Sequence, residues 1–347
     1  MGMEYWQVGA GYGGESGGGR AYHDIFLDYG VMLIGPGEYG DYRVDAQVYG
    51  HKRDGRQVQR LAREVKPGHK VALKRPAGHR WEVLAVGEVK SDYEWMPVFD
   101  DVEGWDIRHG RRVEWRKPAD GSKIMGGFTR GTLNKVEKAE TKQAIEQMWN
   151  SGQQTAPSSL PSPAEKLRDD DLTDILVEDG VEIKQAGEIV RTIEEIRDLA
   201  QWYRERVREG IKVKEHETRS FLIVPLLLAL GWPEQKLKIE WHNIDIAFFD
   251  NPYSEDTDQC VMILESKKLL ESLASRTIHQ AYEYAVKYPR CRQAVVSDGC
   301  SYKLFERKGG NDWCYSAYLN VLKPRLTHPY QDGIGGASDV LVSMLAR

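Results

Sequence analysis

Residues 244–268 read I-D-I-A-F-F-D, then N-P-Y-S-E-D-T-D-Q, then C-V-M-I-L-E-S-K-K. Two short apolar runs flank a segment rich in Asn, Pro, Ser and Asp, the pattern of a β-hairpin with a loose loop. Asp245 lies among isoleucines and phenylalanines, and Glu265 and Lys267 close the second run. Alternate residues of a strand project from one face, so Glu265 and Lys267 point together. Pairing of the two strands would bring Asp245 to the same place.

Two carboxylates and an ammonium at a sheet edge suit a hard divalent cation and a phosphodiester. Asp245 and Glu265 are the candidate ligands for Mg²⁺ or Mn²⁺, an ion that keeps several of its waters and activates one of them. Lys267 would orient or deprotonate that water. The same letters also recur by chance on solvated hairpins, so the flanking sequence decides.

Upstream stands E-H-E-T-R-S-F-L-I-V-P-L-L-L-A-L-G-W (215–232), and downstream H-Q-A-Y-E-Y-A-V-K-Y (279–288), Q-A-V-V-S-D-G and Y-K-L-F-E-R. From about Glu215 to Arg307 the chain resembles the nuclease domain at the start of type I restriction enzyme R subunits, a branch of the PD-(D/E)XK superfamily. The resemblance implies a catalytic set of Glu217 as the helix acid, Asp245 as the P-D aspartate, and Glu265 and Lys267 as E-x-K. Gln280 and Tyr284 match the Q-x-x-x-Y motif of this branch and of RecB-like nucleases. Ile244 stands where the pattern has proline, a position that does not touch metal.

At 347 residues the chain has room for two domains and a linker. An apolar fraction of 41% suffices for packed cores, and a net charge of −5 leaves nucleic-acid binding to a local cationic face. Four cysteines without CxxC spacing indicate neither a zinc knuckle nor a disulfide framework, which fits a cytoplasmic setting. No apolar run approaches the roughly 20 residues of a membrane span, and no signal-peptide pattern opens the sequence. No G-x-x-x-x-G-K-[ST] occurs, so an ATP-driven motor is not expected.

Residues 1–150 form a second compositional block. Short strands with Gly and Pro turns suggest a small barrel, interrupted by a glycine-rich loop over 11–19 and a short helix over 57–64. I-G-P-G-E-Y-G-D-Y, V-K-P-G-H-K-V, V-G-E-V-K-S-D-Y-E-W and G-W-D-I-R-H-G-R-R-V-E-W together resemble the EVE branch of PUA-like domains. Nuclease-fused members of that group are similar in recognising modified DNA bases. Pro36 stands where relatives often carry tryptophan.

A reader of a modified base takes it out of the stack and holds it between aromatic faces, a contact worth ~1–3 kcal/mol per base. Trp6, Tyr42, Tyr93 and Trp105 are the candidates, each beside a turn and a polar cluster. Arg108, Arg111 and Arg112 are candidates for phosphate contacts, which position the protein without reading sequence. Rings of this kind also fill cores, and the arginines could equally form a solvated strand face.

Residues 134–149 read as a charged helix, 151–168 as a Ser/Pro-rich linker, and 169–214 as a helical connector whose default is an amphipathic helix packing on the nuclease. The expectation is an α+β chain of two domains. A PUA-like small β-barrel over 1–150 precedes an α/β PD-(D/E)XK core over 215–347. The expected activity is Mg²⁺-dependent cleavage of double-stranded DNA carrying 5-methylcytosine, 5-hydroxymethylcytosine or its glucosylated form, by a homodimer. A non-catalytic reader working with a partner nuclease, or an RNA-directed nuclease, are the alternatives.

Overall fold

The computed structural model describes residues 2–12, 20–50, 55–208, 210–255, 259–271, 273 and 275–346. The glycine-rich loop expected at 11–19 lies, from residue 13, outside the described residues, as does part of the polar loop before Cys260. The chain divides into two compact units, Met1–Pro163 and Ala164–Arg347, each a mixture of helix and sheet.

The first unit is built on a curled sheet. Its strands run in the order Leu133–Lys135, Tyr5–Gly9, Lys70–Ala77, Arg80–Val89, His109–Lys117 and Gln153–Gln154. Val31–Ile34 and Glu94–Trp95 pair with His109–Lys117 as well. Inward residues of these strands, among them Val8, Val71, Leu73 and Trp115, are fully or almost fully buried. Gly87 is required by this packing, because a Cβ there would lie 2.7 Å from the Trp115 ring and 2.4 Å from Val113.

Two expected boundaries are corrected. The helix expected from Asn134 begins at Ala139, because Leu133–Lys135 pairs with Tyr5–Gly9 at the sheet edge and Leu133 is buried there. Tertiary burial overrides helical propensity at those residues. The Ser/Pro-rich linker is anchored over its first half: Gln153 and Gln154 pair with Lys117 and Arg116, Thr155 N–H donates to the Trp115 carbonyl at 2.9 Å, and Ser158 N–H donates to the Asp28 carbonyl at 2.7 Å.

The second unit carries a six-stranded sheet in the order Leu237–Trp241, Ile244–Phe249, Cys260–Ser266, Gln293–Ser297, Ser301–Gly309, Asp312–Asn320. Ile246, Phe248, Leu264 and Val295 pack into one core with the helices Asp169–Glu178, Ile183–Arg208 and Ala337–Ser343. Ala247, Phe249, Ile263, Ala294 and Val296 pack on the opposite face with Ser275–Ala285. Strands buried on both faces read as continuous apolar runs, which is why I-A-F-F and V-M-I-L show no alternation. Cys260–Ser266 and Gln293–Ser297 run parallel, so the Ser275–Ala285 helix is the crossover between them.

The segment expected as a connector is therefore a layer of this unit. Ile189, Ile193, Ile196 and Ala200 recur at helical spacing along Ile183–Arg208, and all are buried in the shared core. Among the described residues no helix is long and apolar enough to cross a membrane.

Candidate active site

The hairpin that carries Asp245 opens with a two-residue turn. His242 (φ 49°) and Asn243 (φ 67°) both adopt left-handed backbone, the geometry that matches strand twist in a tight hairpin. On the other side, the pairing of Ile246 with Leu264 brings Asp245 alongside Glu265. Both acids thus share the face covered by Ser275–Ala285.

That helix supplies the next partners. Gln280 Nε2 donates to Glu265 Oε1 at 2.7 Å and lies 3.4 Å from the Tyr284 hydroxyl one turn on. Lys267 Nζ lies 3.3 Å from the same Glu265 oxygen and donates to the Ser266 carbonyl at 2.8 Å. Asp245 Oδ2 accepts from the Ser266 amide at 2.7 Å and from its hydroxyl at 2.9 Å, while Arg219 Nη2 reaches Oδ1 at 2.6 Å. Asp245, Glu265, Lys267, Gln280 and Tyr284 are thus brought to one sheet end, as their sequence order suggests.

Glu265 is only 3% exposed, and its Oε2 is buried with no hydrogen-bond partner. Burial, then the neighbouring Asp245 charge, push its pKa up to about 7. A buried carboxylate oxygen without a donor is a costly arrangement in a protein with no bound cation. Among the described residues no three His, Cys, Asp or Glu side chains converge closely enough to enclose an ion unaided. Two carboxylates plus water oxygens would complete the shell, since Mg²⁺ usually keeps several of its waters. The donor set fits a hard cation.

Glu217 is elsewhere. Its Oε2 accepts from the Lys214 amide at 2.8 Å and caps the start of the helix Glu215–Thr218. Glu215 faces the cluster instead, 3.5 Å from the Ser266 hydroxyl and 3.6 Å from Arg219. Residues two apart on a helix differ by about 200° in direction, so only one acid of E-H-E can face the sheet. Burial, with the Asp245 charge adding to it, raises the Glu215 pKa despite the opposing pull of Lys267 and Arg219. The sequence reading also missed Arg219 and Ser266. The i, i+4 spacing of Glu215 and Arg219 and the serine inside E-S-K are the signals that point to them.

In the first unit four of the expected contact residues, Trp6, Tyr42, Tyr93 and Arg111, are buried. Trp6 is fully buried and donates from Nε1 to His69 Nδ1 at 3.1 Å, so it is core. Arg111 is 0% exposed: Nε and Nη2 donate to the Leu61 and Ala62 carbonyls at 2.8 and 3.1 Å, and Nη1 to Ser91 at 2.8 Å. It ties the Gly55–Arg63 helix to the sheet with its guanidinium enclosed. Tyr42 and Tyr93 are buried as well, 6% and 8% exposed, around a buried histidine.

His109 organises that cluster. Tyr93 Oη lies 2.7 Å from Nδ1, and Tyr49 Oη and the Pro36 carbonyl lie 2.9 and 3.0 Å from Nε2. The Pro36 carbonyl can only accept, which places the ring proton on Nε2; the one Tyr93 hydroxyl proton is shared between Nδ1 and Asp41 Oδ1, 3.1 Å away. Burial depresses the His109 pKa from 6.5 to about 4. A histidine held neutral in the fold yet protonated when unfolded costs stability between those values. The first unit should therefore be fully stabilised above about pH 6.5 and lose on the order of 3 kcal/mol as pH falls to 4. Denaturant unfolding of the full chain at pH 7 and pH 4.5 checks this; His109→Gln should flatten the dependence.

More accessible groups lie nearby. Trp105 is 40% exposed. Trp95 is half-buried, with the Arg108 guanidinium 4.4 Å above its ring. Arg108 is held by Asp106 at 2.5 Å and by the Gly37 carbonyl at 3.2 Å. Arg112 pairs with Glu94 at 3.1 Å and keeps 40% of its side chain exposed. No protein-family model matches the chain, and no curated protein matches it.

Proposed function

We propose that the chain is a divalent-cation-dependent endonuclease acting on double-stranded DNA that carries a modified cytosine. The observation that carries this reading is the gathering of Asp245, Glu265 and Lys267 at one sheet end, with Glu265 Oε2 left without a donor. On this reading the second unit is a PD-(D/E)XK nuclease, and the first is a PUA-like reader of the EVE type.

Asp245 and Glu265 would hold Mg²⁺ or Mn²⁺, which when bound supplies an acidified water and offsets charge on the phosphate. The chain's own groups do the rest. Gln280 holds Glu265 Oε1, leaving Oε2 as the oxygen without a hydrogen-bond partner. Lys267 orients the attacking water and balances charge as the water oxygen bonds to phosphorus and the P–O ester bond breaks. Tyr284 steadies Gln280 from the next helical turn.

Trp105, with Trp95 beside Arg108, replaces Trp6 as the accessible aromatic surface of the first unit for a base taken out of the stack. Trp95 packs on His109, which packs on Tyr93, and Tyr42 lies behind Tyr93. One centre hydrolyses one strand, so a double-strand break takes two centres, and we take the working form to be a homodimer. The free cysteines Cys260, Cys291, Cys300 and Cys314 suit a reducing cytoplasm.

The test is cleavage by the full-length protein with Mg²⁺ of duplexes that differ only at cytosine: plain, 5-methyl, 5-hydroxymethyl and glucosylated. Cutting of at least one modified duplex well above the plain one is expected. No cutting of any duplex with Mg²⁺ or Mn²⁺ removes the proposal.

A further inference from the structure

Arg219 is only 6% exposed, yet it faces three carboxylates. Nη2 lies 2.6 Å from Asp245 Oδ1 and 3.6 Å from Glu215, Nη1 lies 3.0 Å from Glu240, and Nε donates to the Ser266 hydroxyl at 3.2 Å. Two backbone departures put it there. The helix that starts at Glu215 widens at Arg219–Ile223 into a π-type turn, in which the Val224 amide bonds to the Arg219 carbonyl. Such widened turns are frequent at functional positions. Glu240 sits in left-handed backbone (φ 56°), rare for a residue with a side chain, on the strand beside Asp245.

We infer that Arg219 is the site's built-in counter-ion, holding Asp245 while no divalent cation is bound and yielding that oxygen when one arrives. The inference rests on the reading of Asp245 and Glu265 as cation ligands. Ser266 occupies Asp245 Oδ2 through two hydrogen bonds, so Oδ1 is the oxygen with room for a further partner, and Arg219 already takes it. A guanidinium and a divalent cation competing for one carboxylate oxygen repel each other, and burial strengthens that repulsion. In ionised form four carboxylates (Glu215, Glu240, Asp245, Glu265) face two cations (Arg219, Lys267), a deficit that one divalent ion matches. Glu240 is largely exposed and offers the guanidinium a second seat when Asp245 turns to metal. Arg219 is thus a positioning residue for the metal-free state and a brake on cation binding.

Calorimetric titration of Mn²⁺ into metal-free full-length protein, compared with Arg219→Gln and Arg219→Lys, tests this. Arg219→Gln should bind Mn²⁺ about fivefold or more tightly than the parent, in the range of ordinary coupling between sites. Its thermal midpoint should also rise more on adding Mn²⁺. Arg219→Lys keeps the charge but loses the fork, so its affinity should fall between the two. Mn²⁺-dependent folding of Arg219→Gln also supports the inference; if that variant folds under neither condition, Arg219→Lys decides by the same criterion. Unchanged or weaker Mn²⁺ binding in the folded variants overturns the counter-ion role and leaves the cation site standing. Absence of Mn²⁺ binding by the parent protein overturns both.

Discussion

Glu265→Ala should lower the Mg²⁺-dependent cleavage rate on the order of 10³-fold or more, the scale seen when one member of a concerted catalytic set is removed. Two features argue that the loss would be chemical and not structural. Glu265 pays for its burial with an oxygen that nothing in the fold satisfies, so its removal takes away no internal hydrogen bond from Oε2. Gln280 loses its partner at 2.7 Å, but it is only half-buried and water can replace the contact. The near-isosteric Glu265→Gln should therefore melt at or above the parent temperature and still fail to cut, and Lys267→Ala should fail in the same way. Cleavage by Glu265→Gln near the parental rate would remove the site assignment. Thermal unfolding alongside the cleavage assay separates the two causes.

Arg111→Ala should destabilise the first unit by roughly 3–5 kcal/mol, since three carbonyls lose their donor at about 1–3 kcal/mol each. Its guanidinium is enclosed, and without it the Leu61, Ala62 and Ser91 carbonyls lose their donor inside the protein. Arg112→Ala, one residue along the same strand, removes a partly exposed pair with Glu94 and should cost less than about 1 kcal/mol. Urea unfolding of both variants in the full chain checks the contrast. Equal, small effects would mean that Arg111 does not hold the Gly55–Arg63 helix to the sheet. The contrast also matters for nucleic-acid binding: weakened binding in Arg111→Ala would be a consequence of unfolding, whereas in Arg112→Ala it would report a phosphate contact.

The second unit was the more legible of the two. Its central strands are unbroken apolar runs because both faces are covered, and the few polar residues within them stand out for that reason. Asp245 against Glu265, and Gln280 above Tyr284, follow from strand and helix periodicity alone. Glu217 came from the resemblance, which carries residue order and not helical phase: E-H-E offers two acids on opposing sides, and in the fold it is Glu215 that faces the sheet. Arg219 was overlooked because its i, i+4 partner Glu215 was passed over for Glu217, and its other partners, Glu240, Asp245 and Ser266, come from strands distant in sequence. The first unit was harder to read. The R-H-G-R-R run looks like one cationic cluster, yet strand alternation and the adjacent helix turn Arg111 inward and leave Arg112 half in solvent. Aromatic residues likewise divide between core and surface by packing that their spacing does not encode.

The pairing of Gln153 and Gln154 with the outer strand bears on how the chain can be dissected. A truncation at residue 150, where the composition changes, would strip that cover and leave Arg116 and Lys117 on an open strand edge. Open edges recruit strands from other molecules. A fragment cut there would therefore tend to self-associate through an artificial contact, and a dimer observed in it would say nothing about the intact protein. Ending the fragment at Pro163 keeps the edge closed and the Ser158–Asp28 clasp intact.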